Sequence, residues 1–326
     1  MRKLIFAIIP AAMLALSCEK EIKFTGNYDG EKLVLFSLAE PGHPLSVQVR
    51  KSRFFLGERT GNPTQLLSGV TVQARSGNEE ISFERDEEGV YRSSYVPSEG
   101  DHIEISASME GFASVRAETT VPRAPEVTIT RGETRLRRLR SGNDYTLEIH
   151  FKLTFHDRAG ERDRYKVSMY TKNYITDDRY YAVTKADGES DPHVFYVDKT
   201  LKTKDMLLME SGTDITNLDI EERYAFFEYL EDGSFDGEDR VFDVWCESYV
   251  SEETALLPNY GLGDYEWVFD ILSLSEDQYS YLVSLQKYCD SDDLASIFGE
   301  PVCIHNNVKG GIGCFGSVSG ICVTLK

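Results

Sequence analysis

From about residue 30 to 122, apolar and polar positions trade places in short runs. Leu45, Val47 and Val49 form one set, Val70, Val72 and Ala74 another, and Ile103, Ile105 and Ala107 a third. A period of two puts each set on one face of a strand, and the Gly, Pro, Asn and Asp between the runs supply turns. Glu88-Gly89-Val90-Tyr91 and Pro97-Ser98-Glu99-Gly100 flank one strand with two such turns. Strands at this spacing predict a β-sandwich over residues 31–122. Val121-Pro122-Arg123-Ala124-Pro125 closes it, because two prolines hold the backbone extended.

A second β-rich region is expected over 123–326. Its clearest strand runs from Tyr145 to Phe155, with Leu147, Ile149, Phe151, Leu153 and Phe155 on one face. Further strands are expected at 165–169, 194–197, 224–230 and 241–245. The polar, tyrosine-bearing stretch from about 172 to 192 reads as a long loop. One helix is predicted near 275–289. Ser275 and Gln278 form a capping-box pattern there, and Tyr279, Leu282, Val283 and Leu285 an apolar stripe. The tail returns to strand at Pro301–His305, through the glycine-rich 310–316, and at Ile321–Leu325. The fold class is therefore mainly β: two sandwich-like domains, with one short helix in the second.

Ahead of the first strand the pattern changes. Met1-Arg2-Lys3 precedes an apolar run, Leu4 to Ala15, and then Leu16-Ser17-Cys18. A basic start, an apolar stretch and small residues at a cut make a secretory signal. The run of about twelve residues is too short for a bilayer, which needs about twenty. Residues 1–17 read as a lipoprotein signal peptide, with Cys18 acylated as the new N-terminus. At about 0.8 kcal/mol per buried methylene, two or three acyl chains hold a protein stably where one does not. Residues 18–30 form an acidic tether. Its opening, Glu19-Lys20-Glu21, resembles the export signals that send Bacteroidetes lipoproteins to the cell surface.

Composition narrows the function classes. With 35 Lys and Arg against 55 Asp and Glu, the net charge is −20, and loss of Arg2 and Lys3 makes it more negative. That argues against nucleic acid as a partner. Past Cys18 stand Cys246, Cys289, Cys303, Cys314 and Cys322, at spacings of 43, 14, 11 and 8 residues. An exported protein permits one or two disulfides among them, with pairing unreadable and at least one thiol left over. The spacings lack the close pairs of a structural zinc site.

Several runs together resemble a Bacteroidetes lipoprotein family known as domain of unknown function 4249. They are the acidic start after Cys18, Leu33 to Leu38, Pro44-Leu45-Ser46-Val47, Gly69-Val70-Thr71-Val72 and Gly89-Val90-Tyr91. After Ala117 to Pro122 come Ser234-Phe235-Asp236-Gly237, Tyr279 with Tyr281-Leu282, and Glu300-Pro301-Val302 leading to Asn306 through Gly313. The resemblance implies an outer-membrane or surface lipoprotein whose N-terminal sandwich is immunoglobulin-like or transthyretin-like. It also implies an accessory role beside TonB-dependent receptors in nutrient uptake, and it brings no catalytic residues. Other expectations are a structural or adhesive surface protein related to fimbriae, and a stand-alone glycan-binding module.

Candidate chemistry is sparse. Asp232, Ser234 and Asp236, with Gly237 and Asp243, fall at calcium-loop offsets 1, 3, 5, 6 and 12, although Asp replaces the usual bidentate Glu. Tyr174, Tyr180 and Tyr181 form a candidate stacking platform for a sugar or peptide. Five arginines between Arg131 and Arg140 suit either an anionic contact or a charged edge strand or loop, and the edge strand or loop is preferred. No G-x-S-x-G, H-E-x-x-H or phosphate loop occurs, so neither an enzyme nor a bound cofactor is expected beyond the lipid, with calcium as the one candidate ion.

Overall fold

The alternation is realised as strands in the computed structural model, which describes residues 30–53, 66–138, 145–174, 194–205, 208, 224–257, 265–290 and 302–326. Lys32–Ser52 and Arg59–Lys326 gather into one unit, and everything below belongs to it. The other unit, Met1–Glu31 with Arg53–Glu58, lies almost wholly outside the described residues. Cys18 and Glu19-Lys20-Glu21 are there.

The first eight strands are β1 (Leu33–Ala39), β2 (Ser46–Lys51), β3 (Thr71–Ser76), β4 (Glu79–Ser82), β5 (Glu84–Arg85), β6 (Tyr91–Arg92), β7 (His102–Ser108) and β8 (Val115–Thr120). A four-stranded sheet runs β4-β3-β7-β8. Its register sets Val72 opposite Ala107 and Ala74 opposite Ile105, so the predicted apolar sets share one face. That face buries against Leu33, Leu35, Leu45, Val47 and Val49, all fully buried. Each such side chain contributes roughly 1.5–3 kcal/mol by leaving water.

The second group is β9 (Val127–Arg138), β10 (Tyr145–His156), β11 (Arg164–Tyr174), β12 (Val194–Lys199), β13 (Lys202–Thr203), β14 (Ala225–Phe226), β15 (Tyr229–Glu231) and β16 (Asp239–Val250). A one-turn helix, α1 (Glu252–Ala255), then β17 (Glu266–Leu274), α2 (Glu276–Asp290) and β18 (Ile312–Leu325) complete the chain. A five-stranded sheet runs β14-β13-β16-β10-β9. The predicted face of β10 forms its core side, with Phe151 edge-on to Phe269 of β17 at 5.0 Å and Phe155 perpendicular to Phe242 at 5.8 Å.

The remaining sheet is nine-stranded. It runs β12-β11-β17-β18-β1-β2-β6-β5, with β15 paired to β11. Apart from Val308 and Phe315, the first core comes from before residue 122 and the second from after it, and β18 contributes to both. Phe315 packs in the first core, while Ile321, Val323 and Leu325 lie against the second. Its first half pairs in parallel with β1, and its second half antiparallel with β17. Ser317 adds a buried link, donating to the Thr120 carbonyl at 2.7 Å and sharing a 2.9 Å hydrogen bond with Thr119.

The tail and helices refine the expectations. Residues 312–316 and 321–325 belong to one strand, not two, and Gly310-Gly311 form the turn before it. Residues 302–308 form no strand, because their polar groups are met by side chains. His305 N–H donates to Ser284 Oγ at 2.9 Å, and the Asn307 amide makes both hydrogen bonds with the Phe315 backbone, at 2.8 and 3.0 Å. The capping box at α2 is half made: Ser275 Oγ accepts from Gln278 N–H at 3.4 Å, but Ser275 N–H donates to the Ser317 carbonyl. Gln278 instead packs over Gly316, where any Cβ would collide with it. The one-turn α1 was not foreseen, since four residues carry no periodicity.

Candidate functional site

An open trough of about 840 Å³ lies on the face of the five-stranded sheet turned away from the core. Its floor follows from strand geometry. In β16 the inward set is Phe242, Val244 and Cys246, so Val241, Asp243, Trp245, Glu247 and Tyr249 point outward. In β10 the outward set is Thr146, Glu148, His150 and Lys152. The register pairs these directly: Thr146 with Tyr249, Glu148 with Glu247, His150 with Trp245, and Lys152 with Asp243.

Trp245 and His150 form the middle rung. Their rings stack at 5.9 Å and 25°, and Tyr224 meets Trp245 edge-on at 6.2 Å. Lys202, opposite Trp245 on β13, places its ammonium 4.2 Å from the centre of the Tyr224 ring. Trp245 is thereby covered, at 9% exposure, whereas Tyr249 stands 77% exposed at one end. On the β9 side the register slips, so that Gly132 and Glu133 together face His150. Such a bulge bends the strand and re-aims its side chains, a device common beside sites.

Four ion pairs form within the trough. Lys202 meets Glu247 at 2.9 Å, Arg137 meets Glu148 at 3.3 Å, Lys152 meets Asp243 at 3.4 Å, and Arg135 pairs with Glu133. The Trp245 indole N–H donates to Glu247 Oε1 at 3.3 Å. His150 Nε2 has no hydrogen-bond partner, and its nearest charge is Glu148 at 3.7 Å.

The calcium-loop residues are not brought together. Asp243 lies out on β16 beside Lys152, because residues 239–250 run as an extended strand and cannot wrap back. Asp236 accepts from Gly160 N–H at 2.6 Å, and Ser234 is exposed. Asp232 does enter an acidic cluster, but with Asp157 and Asp163, which sequence spacing could not connect. A small cation could fit among these three. Two of the three, however, already serve as acceptors: Asp157 takes the Tyr165 hydroxyl at 3.0 Å and Gly237 N–H at 2.9 Å, and Asp232 takes Asp163 N–H at 2.7 Å. Burial holds the carboxyls of Asp163 and Asp232 above the usual carboxylate range, with Asp157 adding to it in each case.

Tyr180 and Tyr181 lie outside the described residues, as does the side chain of Tyr174. Arg131, Arg135, Arg137 and Arg138 lie on the edge strand β9, while Arg140 is outside the described residues, and Arg135 and Arg137 also line the trough. The expected disulfides are absent, since all five cysteines are free. Cys246 points into the second core, Cys314 lies under α2, and Cys289, Cys303 and Cys322 are exposed. The trough itself went unread. Its one signal was Trp245 and Tyr249, four residues apart on the outward face of a strand with a full apolar inward face.

Compared with known families, residues 19–320 match the model described as "Domain of unknown function (DUF4249)". The chain belongs to that family. No curated protein matches it. Among solved structures, this DUF4249 chain is similar at 11% identity to a protein of Corynebacterium diphtheriae described as membrane anchored, covering 76% of this chain and 55% of that one, with a TM-score of 0.18. It thus spans about half of that protein's length. It is similar at 11% identity to Salmonella alpha-2-macroglobulin, covering 76% and 14%, with a TM-score of 0.21. A chaperone–tip adhesin complex of CFA/I fimbriae is similar at 12% identity over 75% and 85%, also at 0.21. Among the described residues of this DUF4249 chain, no helix is long and apolar enough to cross a membrane.

Proposed function

We propose that this DUF4249 protein is a Bacteroidetes-type lipoprotein of the outer membrane, anchored through Cys18 and turned to the cell surface by Glu19-Lys20-Glu21. On that anchor it serves as the binding accessory of a TonB-dependent uptake system. The observation that carries a binding role is the trough: a preformed concave face, with aromatic rings at its centre and end and fixed polar groups between them. A protein needing this sheet only for stability has no use for a tyrosine left 77% exposed on the same outward face as the buried tryptophan rung.

Affinity purification of the tagged full chain from detergent-solubilised outer membranes tests the reading. Recovery of a TonB-dependent receptor in stoichiometric amount is expected. Recovery of filament subunits instead would move the protein to the adhesive class. The anchor is tested separately by Cys18→Ser, which is expected to release folded protein into the soluble fraction.

A further inference from the structure

We infer that the trough's ligand is a neutral oligosaccharide, an inference that rests on the trough being the binding site. The first ground is charge. Five cationic side chains and five carboxylates line it, so it is locally balanced in a protein of net charge −20. Four of those carboxylates already hold a cation of the trough itself. An anionic ligand at the middle of the trough would have to displace Glu148 from Arg137 or Glu247 from Lys202. A cationic one would have to do the reverse. A neutral polyol displaces neither.

The second ground is hydrogen-bonding capacity. A paired carboxylate keeps lone pairs, and a paired ammonium or guanidinium keeps N–H groups. The trough therefore offers donors and acceptors in fixed places without net charge. Hydroxyl groups, each both donor and acceptor, match that lining. The third ground is the aromatic surface. The C–H face of a sugar ring is apolar and edged with partial positive charge, which suits the electron-rich faces of Tyr224 and Tyr249. One face of Tyr224 is taken by Lys202 at 4.2 Å. A volume of about 840 Å³ lies toward the upper end of ordinary ligand clefts and leaves room for more than one sugar ring.

An extended peptide would bind differently. It gains most of its affinity by adding a strand to a sheet edge, and this sheet offers such an edge at β9. The aromatic and charged groups lie on the face instead.

The experiment applies the detergent-solubilised full chain to an array of neutral and uronate-bearing oligosaccharides and extended peptides, followed by calorimetry on the strongest binder. Expected is a neutral oligosaccharide whose affinity falls about tenfold in Tyr249→Ala and again in Tyr224→Ala. Tyr288→Ala, an exposed aromatic off the trough, leaves it unchanged. Binding only of uronates or of peptides overturns the inference. So does the absence of any neutral binder, or a binder indifferent to both trough tyrosines. Receptor recovery with no neutral binder would sink the saccharide while leaving the uptake reading standing. A neutral binder without a receptor would do the opposite.

Discussion

Glu148 of β10 and Glu247 of β16 face each other directly across the sheet. Like charges in that relationship destabilise a strand pair. Here each is held by a cation from its outer side, Arg137 at 3.3 Å and Lys202 at 2.9 Å, and both glutamates are largely shielded from solvent. Lys202→Met strands one carboxylate beside the other. We expect a loss of about 1–3 kcal/mol. Glu247→Gln placed on top should recover most of it, because the amide removes the repulsion. Urea denaturation of the four proteins of this cycle measures the coupling. If the two losses simply add, the cations are not what makes the pairing tolerable.

The β1–β18 junction predicts a sharper failure. Gly313 has φ +131°, outside what other residues adopt readily, and a Cβ there would collide with the Leu35 carbonyl oxygen. Gly313→Ala must therefore open the parallel ladder or strain the backbone. A cost of about 3 kcal/mol or more is expected. Because β18 serves both cores, thermal unfolding should stay a single transition at a lower midpoint. Wild-type stability in the variant would mean that the junction contributes little.

These two sites also show what was legible in the sequence. The strand β10 could be read residue by residue, since one of its faces is buried from Leu147 to Phe155 and burial imposes a period of two. Strand β18 was read in pieces, because Gly313, Gly316 and Gly320 interrupt its apolar positions and its partner β1 lies nearly the whole chain away. The trough demanded more still. It depends on β13 and β14, two residues each, which no pattern can reveal, and on a register that sets His150 beside Trp245. Asp232 was singled out for its spacing to Asp236 and Asp243, whereas its neighbours in space are Asp157 and Asp163. Local spacing identified the turn; only the fold could supply the loop that meets it.

That acidic cluster makes stability depend on pH in a definite direction. The carboxyls of Asp163 and Asp232 are raised in the folded protein, chiefly by burial. The folded state therefore binds more protons than the unfolded one above the ordinary carboxylate pKa, and this contribution falls as pH rises through that window. Asp163→Asn removes one charge while keeping an acceptor. We expect it to raise unfolding free energy by about 0.5–1 kcal/mol at neutral pH. The gain should shrink as the pH is lowered through the same window. Urea melts at pH 5 and pH 8 would show it, and a variant less stable at pH 8 than wild type would refute the assignment.

Thiol chemistry separates the five cysteines into two groups. Cys246 lies in the second core and Cys314 beneath α2, and burial pushes both thiols up to about 12. Neither can supply thiolate at neutral pH, and the thiolate is the reacting species. Cys289, Cys303 and Cys322 are exposed. Burial and the neighbouring Asp270 raise the Cys322 thiol, so it should be the slowest of these three. In the chain from Glu19, Ellman's reagent is expected to titrate three thiols in the native state and all five only after denaturant. Since no disulfide ties the fold together, a reductant should leave the thermal midpoint where it was. A midpoint that drops on reduction, with fewer than three reactive thiols beforehand, would show that the exported protein has closed a bridge and drawn two of these strands or loops into contact.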